Sequence, residues 1–490
     1  MENKAEQVNK LLDRFKAVMR RSLEKDNIEK AMAAVSAACE MLYYYNQVYI
    51  DDDLEAGVYE VGKNLKAKFE KELESYHTDD KTVMFYDGFG MDTRGVAKMY
   101  LNALKKNGYK IIYVTNVWSK GQMPDTDQLL SDADHETVYI DYYRNYTGWA
   151  MDLMRTIIRT RPKAMFYYTL PFDAAGAAAF AAMEGKAYRF LIDLTDHAFW
   201  LGKASNDFFC GSREMSASNQ VYERGIDPSR LIKLGVNLIV DEGGNDHTGL
   251  PFDVEKTRYI FSGGSLYKTL GDENNYFYRI ADHILSSHPD MRFLYAGEGD
   301  RTEMDKILEK YPGRAFLIDE RKDFYYLIRN CTLYLNTYPM FGGMMMKYSA
   351  NAGRIPVTLR HENDSDGLLI DQPSRKIEYD TYEELISDVD RLLSDDEYLK
   401  EREALLDGSV ISEARFVNNV RTTIEEHHTD YCHSGERIDT SRFKAEFYTR
   451  FSFKQAKENI SRMTNKSLFA DFPWMPYIKI KNRLFGRFHK

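Results

Sequence analysis

The chain has 490 residues, of which 43% are hydrophobic and 29% charged, and its formal net charge is -10. This length exceeds what one hydrophobic core organises, so we expect two or three domains, and the composition excludes an intrinsically disordered chain. The negative charge argues against nucleic acid as a partner, because no positive field would attract phosphates.

The start of the sequence and its cysteines predict a cytoplasmic protein. Residues 1–6 lack the apolar core of a secretory signal, and no apolar run approaches the roughly 20 residues that span a bilayer. The four cysteines, Cys39, Cys210, Cys331 and Cys432, form no CxxC pair. Isolated thiols fit a reducing compartment better than a disulfide framework or a zinc site.

The first two regions differ in periodicity. Residues 1–78 show apolar side chains at helical spacing and predict an N-terminal helical cap. Residues 79–245 alternate short apolar runs with helical segments, which is typical of parallel strands joined by helical crossovers. Strands are predicted at 82–86, 110–114, 137–140, 164–168, 188–193 and 208–211. This region is predicted to be a Rossmann-like domain.

The alternating pattern restarts after the polar stretch 245–249. Strands are predicted at 258–262, 292–296, 315–318, 333–335 and 355–359, and Thr381 with Glu384 forms a capping box for a later helix. Residues 246–405 therefore predict a second Rossmann-like domain, and 406–490 a helical, aromatic extension. The fold class is α/β with two tandem Rossmann-like domains. Such sheets bind ligands at the carboxyl ends of their strands, so we expect the site in a cleft between them.

The first candidate for binding a diphosphate follows the strand at 258–262. Gly263 and Gly264 would let the backbone approach a diphosphate, and Lys268 would supply a mobile positive charge. The alternative is a surface loop with a solvated lysine.

Two later segments have similar chemistry. Gly297 lies in the turn after the next strand. Gly342, Gly343 and Met344 stand at the predicted start of an apolar helix, where free N–H groups and the helix dipole favour an anion. An ordinary strand-end turn is the alternative for Gly297.

In this order and spacing, the three segments resemble the nucleotide-binding half of GT-B glycosyltransferases, in particular the O-GlcNAc transferase and bacterial adhesin glucosyltransferase family. Leu266-Tyr267-Lys268 matches a Leu-Tyr-Lys of that family, whose lysine contacts the nucleotide diphosphate. The matching frame continues through Leu335, Thr337, Pro339, Gly342, Gly353, Val357 and Thr358. The resemblance covers about residues 255–360 and implies a UDP-sugar substrate and no cofactor.

The chain departs from that family at two places. Gly343-Met344-Met345 stands where the family places His-Thr-Thr against the phosphates, and Tyr348 stands where it has an acidic residue near the ribose. Each lost charge-assisted hydrogen bond costs on the order of 1.5–3 kcal/mol. A different donor, compensating residues or lost activity would explain the change. The paired glutamates of many retaining GT-B enzymes are also absent from this segment, which favours inversion.

Residues 79–245, which the resemblance makes the acceptor-side domain, contain a candidate catalytic base. Asp196 and His197 follow the strand at 188–193, and an inverting transfer needs a group that deprotonates the acceptor. The alternative is a histidine satisfied by a neighbouring loop.

Gly88, Gly90 and Arg94 open the first helix of the same region, where Arg94 could reach phosphates or the acceptor. Thr93 stands where a dinucleotide fingerprint needs its third glycine, so the segment is not that motif. The alternative is a tight turn that permits strand–helix packing. Residues 125–127 and 132–134 fit a DxD metal motif, but they lie in a generally acidic loop. We predict no metal, because Lys268 and helix dipoles would neutralise the diphosphate.

The C-terminal residues 472–490 mix basic and aromatic side chains. They could rest on the inner surface of an anionic membrane, which would suit a lipid-linked acceptor. The alternative is that Trp474, Ile478 and Phe485 pack across the first domain.

Taken together, these patterns predict an inverting, metal-independent transfer of a hexose or N-acetylhexosamine from a UDP-sugar to a protein, glycan or lipid-linked acceptor. A non-catalytic GT-B partner subunit of a glycosyltransferase complex is the first alternative, which the two methionines favour. A sugar-nucleotide epimerase of the same fold is the second.

Overall fold

A computed structural model describes residues 3–141, 145–240, 247–360, 369–370, 372–430 and 432–485. The chain divides into two compact units. The first unit runs to Gly235 and resumes at Ala414, and the second is Val236–Glu413. The predicted linker residues Asn245 and Asp246 lie outside the described residues.

The strands alternate with helices along most of the chain. The strands are β1 Asp79–Asp87, β2 Lys110–Asn116, β3 His135–Ile140, β4 Pro162–Tyr168, β5 Tyr188–Ile192, β6 Phe208–Gly211, β7 Leu231–Lys233, β8 Tyr259–Gly263, β9 Arg292–Ala296, β10 Ala315–Ile318, β11 Leu333–Leu335, β12 Pro356–Leu359 and β13 Glu378–Tyr379. The helices are α1 Lys4–Leu23, α2 Ile28–Tyr45, α3 Asp52–Lys68, α4 Glu70–Glu74, α5 Gly95–Lys106, α6 Pro124–Leu130, α7 Tyr146–Thr160, α8 Ala174–Ala182, α9 Glu214–Ser218, α10 Tyr276–Ser287, α11 Thr302–Lys310, α12 Phe324–Asn330, α13 Gly343–Asn351, α14 Gln372–Arg375, α15 Tyr382–Ser394, α16 Asp396–Ala404, α17 Glu413–Glu426, α18 Ser441–Arg450, α19 Phe453–Met463 and α20 Trp474–Phe485.

Each unit is built on one parallel sheet. The first sheet has the order β3-β2-β1-β4-β5-β6-β7, and the second has the order β10-β9-β8-β11-β12-β13. Central strands such as β1 and β8 are buried over most of their length, as expected where helices cover both faces of a parallel sheet. In each sheet the strand order reverses beside the first strand, between β1 and β4 and between β8 and β11. These are the topological switch points at which ligands of such sheets bind.

The predicted fold class is confirmed, with two Rossmann-like sheets and helical ends. All eleven strands predicted from the sequence are present. The sequence analysis missed β7 and β13, which have 3 and 2 residues and lie at sheet edges. Segments this short carry too few residues to show a period.

The helical ends of the chain belong to the core of the first unit. Phe15 of α1 contacts Phe472 with ring centroids 4.4 Å apart, and Met475 of α20 is fully buried. This agrees with the packing alternative for the start of the C-terminal segment, although Tyr477 and Ile480 remain exposed. Residues 486–490 lie outside the described residues. Within the described part of the chain, no helix is both long and apolar enough to cross a membrane.

Candidate functional site

The switch point of the second sheet is formed by the loops after β8 and β11. Lys268 lies in a 3-10 turn, Leu266–Thr269, directly after β8. The backbone N–H of Met340, in the loop after β11, donates to the carbonyl of Lys268 at 3.1 Å. The fold therefore joins the loop that carries the lysine to the loop that leads into α13.

A second contact joins the loop after β9 to the same edge. The N–H of Gly264 donates to the Ala296 carbonyl at 2.9 Å, and the N–H of Leu266 donates to the Glu298 carbonyl at 2.9 Å. A Cβ added to Gly297 would lie 2.0 Å from the carbonyl oxygen of Gly264, so only glycine fits there. The three segments singled out in the sequence thus meet at one edge of one sheet.

The helix α13 begins at this edge. The N–H of Gly342 donates to the side-chain oxygen of Asn336 at 3.1 Å, while the amide nitrogen of Asn336 is buried without a hydrogen-bond partner. The next backbone N–H groups, of Gly343 and Met344, have no acceptor within the helix because they belong to its first turn. The helix start therefore presents donors and the positive end of the helix dipole.

The two departures from the GT-B frame have structural counterparts. A Cβ added to Gly263 would lie 3.5 Å from the methyl carbon of Met345. The Met345 thioether therefore occupies space beside Gly263. The hydroxyl of Tyr348 donates to the Ile239 carbonyl at 3.0 Å, and its ring packs edge-on against Phe324 at 4.9 Å. Tyr348 is therefore held by packing contacts of the second unit.

The switch point of the first sheet holds the predicted glycine loop. The buried Asp87 accepts hydrogen bonds from the N–H groups of Phe89 and Gly90 at 2.9 and 3.0 Å. A Cβ on Gly88 would lie 1.7 Å from the hydroxyl of Thr169 after β4. The loop is thus a tight turn fixed against both strands, as the packing alternative expects. Arg94 lies over the ring of Phe89 at 4.1 Å.

Asp196 and His197, the candidates for the catalytic base, lie after β5 in the first unit. Asp196 accepts two hydrogen bonds from Arg213, at 2.7 and 2.6 Å, and its nearer oxygen lies 3.5 Å from Nδ1 of His197. Burial would raise the pKa of Asp196, but the Arg213 guanidinium and His197 hold it well below its usual range. Because a weakly basic carboxylate accepts protons poorly, Asp196 is suited to orient the imidazole rather than to act as the base.

A second layer of polar groups surrounds this pair, and sequence reasoning missed it. Asp193 accepts hydrogen bonds from Ser216 and Gln220 at 2.8 and 2.6 Å, and burial raises its pKa. Arg224 is 1% exposed and lies over the ring of Trp200 at 4.4 Å. Its side chain donates to the Ala198 carbonyl at 2.6 Å. The sequence signal was present only for Asp193, which ends a predicted strand.

A further buried acid, Asp173, also escaped the sequence analysis. It follows β4 and accepts hydrogen bonds from the hydroxyls of Tyr86 and Thr169 and from the N–H of Gly176, at 2.7, 2.9 and 2.7 Å. Burial raises its pKa to about 6 despite these donors. An Asp followed by a run of alanines was a recognisable helix start.

The two DxD-like stretches are engaged by lysines. Asp125 pairs with Lys98 at 2.9 Å, and Asp132 pairs with Lys105 at 2.8 Å. Among the described residues, no three His, Cys, Asp or Glu side chains are grouped so that they could hold a metal ion. A metal-independent reaction stays a prediction.

Known proteins resemble this chain in structure but not in sequence. No protein-family model matches it, and no curated protein sequence matches it significantly. A glycosyltransferase from Rickettsia africae superposes with a TM-score of 0.53 at 11% identity, covering 71% of this chain and 99% of that one. A Listeria monocytogenes protein assigned as a UDP-N-acetylglucosamine 2-epimerase gives 0.51 at 14% identity, covering 71% and 97%. A Thermobaculum terrenum O-GlcNAc transferase variant gives 0.48 at 14% identity, covering 89% and 82%. The first two likenesses confirm the predicted GT-B type of fold, and at these identities they show the fold alone.

Proposed function

We propose that this chain is a glycosyltransferase whose second unit holds the diphosphate of a nucleotide-sugar donor and whose first unit supplies the base. The observation that carries this proposal is the second sheet's switch point, where Lys268 and the bare start of α13 lie on hydrogen-bonded loops. A lysine, backbone N–H groups and a helix dipole are the groups that bind a diphosphate. The shared fold with a glycosyltransferase supports the proposal.

The proposed reaction is a direct displacement with inversion. His197 takes the proton of the acceptor hydroxyl, whose oxygen then forms the new bond to the anomeric carbon of the sugar. The bond from that carbon to the diphosphate oxygen breaks, and the electron pair leaves with the diphosphate. Lys268 and the N–H groups at Gly343 and Met344 stabilise the charge that develops there.

Asp196 has a positioning role in this scheme. Its carboxylate faces Nδ1 of His197, and Arg213 fixes the carboxylate with two hydrogen bonds. In this scheme Nε2 of His197 accepts the proton. We further propose UDP as the nucleotide, a hexose or N-acetylhexosamine as the sugar, and no metal. The acceptor is a protein, a glycan or a lipid-linked sugar.

Calorimetry with UDP tests the donor half. We expect Lys268→Ala to weaken UDP binding by about ten- to a hundred-fold, because a charge-assisted hydrogen bond contributes about 1.5–3 kcal/mol. Lys256→Ala is the matched control, since Lys256 precedes β8, at its amino end, and its side chain is 83% exposed. Equal UDP affinity in both variants, or no UDP binding by the unaltered protein, would refute the proposal.

Turnover tests the base. His197→Ala should lower kcat by about 10²- to 10⁴-fold and leave UDP affinity unchanged. Release of UDP from a UDP-sugar with cell-extract acceptors, followed by mass spectrometry of the products, measures this.

One observation favours a second candidate, a non-catalytic partner subunit. Met345 fills space beside Gly263, where the resemblance places a hydroxyl donor against the phosphates. Such a subunit would bind a transferase and show neither UDP affinity nor turnover. An epimerase, by contrast, would convert the UDP-sugar with no acceptor present.

A further inference from the structure

A cavity of about 260 Å³ lies in the first unit between the edge strand β7 and the helical segment that follows β6. It forms where residues 428–430 and 432–436, the returning segment, lie against the sheet after α17. Its walls include the apolar side chains of Val221, Leu231 and Ile232, together with His433 and Cys432. Neither the predicted base nor the predicted donor residues line it.

Hydrogen bonds hold the returning segment in place. The hydroxyl of Thr429 donates to the Lys233 carbonyl at 2.7 Å, and the hydroxyl of Tyr222 donates to the Gly435 carbonyl at 2.9 Å. The N–H of Ser434 donates to a carboxylate oxygen of Glu214 at 2.9 Å. These contacts anchor the segment on three sides, so the cavity is preformed.

His433 gives the cavity an unsatisfied polar group. Its side chain is 9% exposed, and neither ring nitrogen has a hydrogen-bond partner. The Glu214 carboxylate lies 3.7 Å from Nδ1, which is an ion-pair distance for a protonated ring but too long for a hydrogen bond. A buried polar atom without a partner costs about 1–3 kcal/mol, and a ligand hydroxyl that meets the ring after a small rotation would recover part of this.

The other groups at the cavity define the chemistry of the ligand. Lys233 in the cavity wall pairs with Glu214 at 2.5 Å, and the acid in the wall, Glu436, is exposed to solvent, so the cavity suits a neutral ligand better than an anion. The half-exposed ring of Tyr222 and the aliphatic wall suit an apolar face, while His433 suits a hydroxyl. A pyranose ring combines an apolar face with hydroxyls at its edge. The volume equals roughly nine water molecules at about 30 Å³ each, which is enough for one such ring.

We propose that this cavity binds one neutral pyranose residue of the acceptor, with a hydroxyl hydrogen-bonded to His433. The inference rests on the proposed function, which supplies the acceptor. Glu214, which pairs with Lys233 of the cavity wall, is also next in sequence to a residue that contacts the predicted base's partner. Glu214 follows Arg213, whose guanidinium fixes Asp196 beside His197.

Cys432 allows a test that does not depend on turnover. It is exposed, whereas Cys39, Cys210 and Cys331 are buried, so a maleimide should label Cys432 first. Methyl glycosides of glucose, galactose and N-acetylglucosamine, added at millimolar concentrations, should slow this labelling saturably. About five-fold slowing is expected when the sugar is at four times its Kd. Cys432→Ser establishes which thiol reacts.

His433→Phe is the matched variant, because it keeps an aromatic ring in the wall and removes the nitrogens. We expect it to label at the unprotected rate of the parent protein and to lose the protection by sugar. No protection by any of the three glycosides, or equal protection in His433→Phe, would overturn the inference. UDP binding is measured on the same protein. UDP binding without sugar protection removes only this inference, whereas protection without UDP binding removes the proposed transfer and leaves a carbohydrate site.

Discussion

The carboxyl edges of the two sheets use opposite chemistry on the same topology. In the first unit, four buried aspartates, Asp87, Asp173, Asp193 and Asp196, lie at or shortly after strand ends. In the second unit, β8 ends in Gly263 and β9 is followed by Gly297, while β11 and β12 are followed by Asn336 and Arg360.

The described part of the second unit buries one aspartate, Asp323, after β10, and Arg321 neutralises it with two hydrogen bonds of 2.7 Å. An edge whose one described buried aspartate is neutralised suits a diphosphate, which uncompensated buried aspartates would repel. An edge rich in aspartates can instead orient a histidine and tune proton transfer. The two edges thus differ in the charge of their buried side chains, which suits the roles proposed for the two units.

The largest expected effect concerns the buried ion pair of the first unit. Arg213→Ala should lower the free energy of unfolding by about 3–5 kcal/mol, because it leaves Asp196 buried without its cation. Urea unfolding followed by tryptophan fluorescence reports this unit, since Trp118, Trp149, Trp200 and Trp474 all lie in it.

The control for this prediction is Arg155→Ala, which removes an exposed pair with Asp152. That change should cost less than about 1 kcal/mol. Equal effects of the two variants would show that the Asp196 pair is no stronger than a surface contact.

The fold could be predicted from the sequence, but the hydrogen-bond network around the buried aspartates of the first unit could not. The β8 and β9 segments carry apolar runs with flanking glycines, and such patterns are local. The network depends on Asp196 meeting Arg213, seventeen positions further on, and on Tyr86 meeting Asp173, eighty-seven positions away. No local period records such partners. The donor residues could be predicted because a resemblance fixed their order, and they stay a prediction. His433 belongs to no sequence motif, and only its place in the cavity wall draws attention to it.

The next prediction concerns the pH dependence of the first unit. Burial raises the pKa of Asp173 to about 6 from an ordinary value of 3.8, so the folded protein holds this proton more tightly than the unfolded chain. The stability that this group contributes is therefore present below about pH 4 and is lost as pH rises through about 6.

Asp173→Asn keeps an acceptor for the Gly176 N–H and removes the titration. Relative to that variant, the parent protein should lose about 2–3 kcal/mol of unfolding free energy between about pH 4 and pH 7.5. Urea titrations of both proteins across this range measure the difference. Parallel curves would show that burial does not perturb this carboxyl group.

A smaller effect is expected from a glycine of the second unit. Gly297→Ala places a Cβ 2.0 Å from the Gly264 carbonyl oxygen, so the loops after β8 and β9 must separate. Gly313→Ala is the matched control, because Gly313 also has a positive φ, of +74°, but nothing within 4 Å of the added carbon. Gly297→Ala should cost about 2 kcal/mol more than the control and abolish UDP binding. Thermal unfolding measures the loss of stability, and calorimetry measures UDP binding. If Gly297→Ala still binds UDP, the nucleotide does not bind at this edge of the sheet.

The smallest expected effect addresses the methionines at the start of α13. Met344→Thr with Met345→Thr supplies two hydroxyl donors and removes the thioether that lies beside Gly263. If the diphosphate binds at this helix start, UDP affinity should rise by about five-fold, which corresponds to about 1 kcal/mol, the net contribution of a single hydrogen bond.

Met91→Thr, at a half-exposed position of the first unit, is the control and should leave UDP affinity unchanged. Unchanged or weaker UDP binding in the folded double variant would place the phosphates elsewhere, because donors added at the positive end of a helix cannot be neutral to an anion bound there. A gain would instead show that the diphosphate binds at this helix start and that the two methionines weaken its binding there.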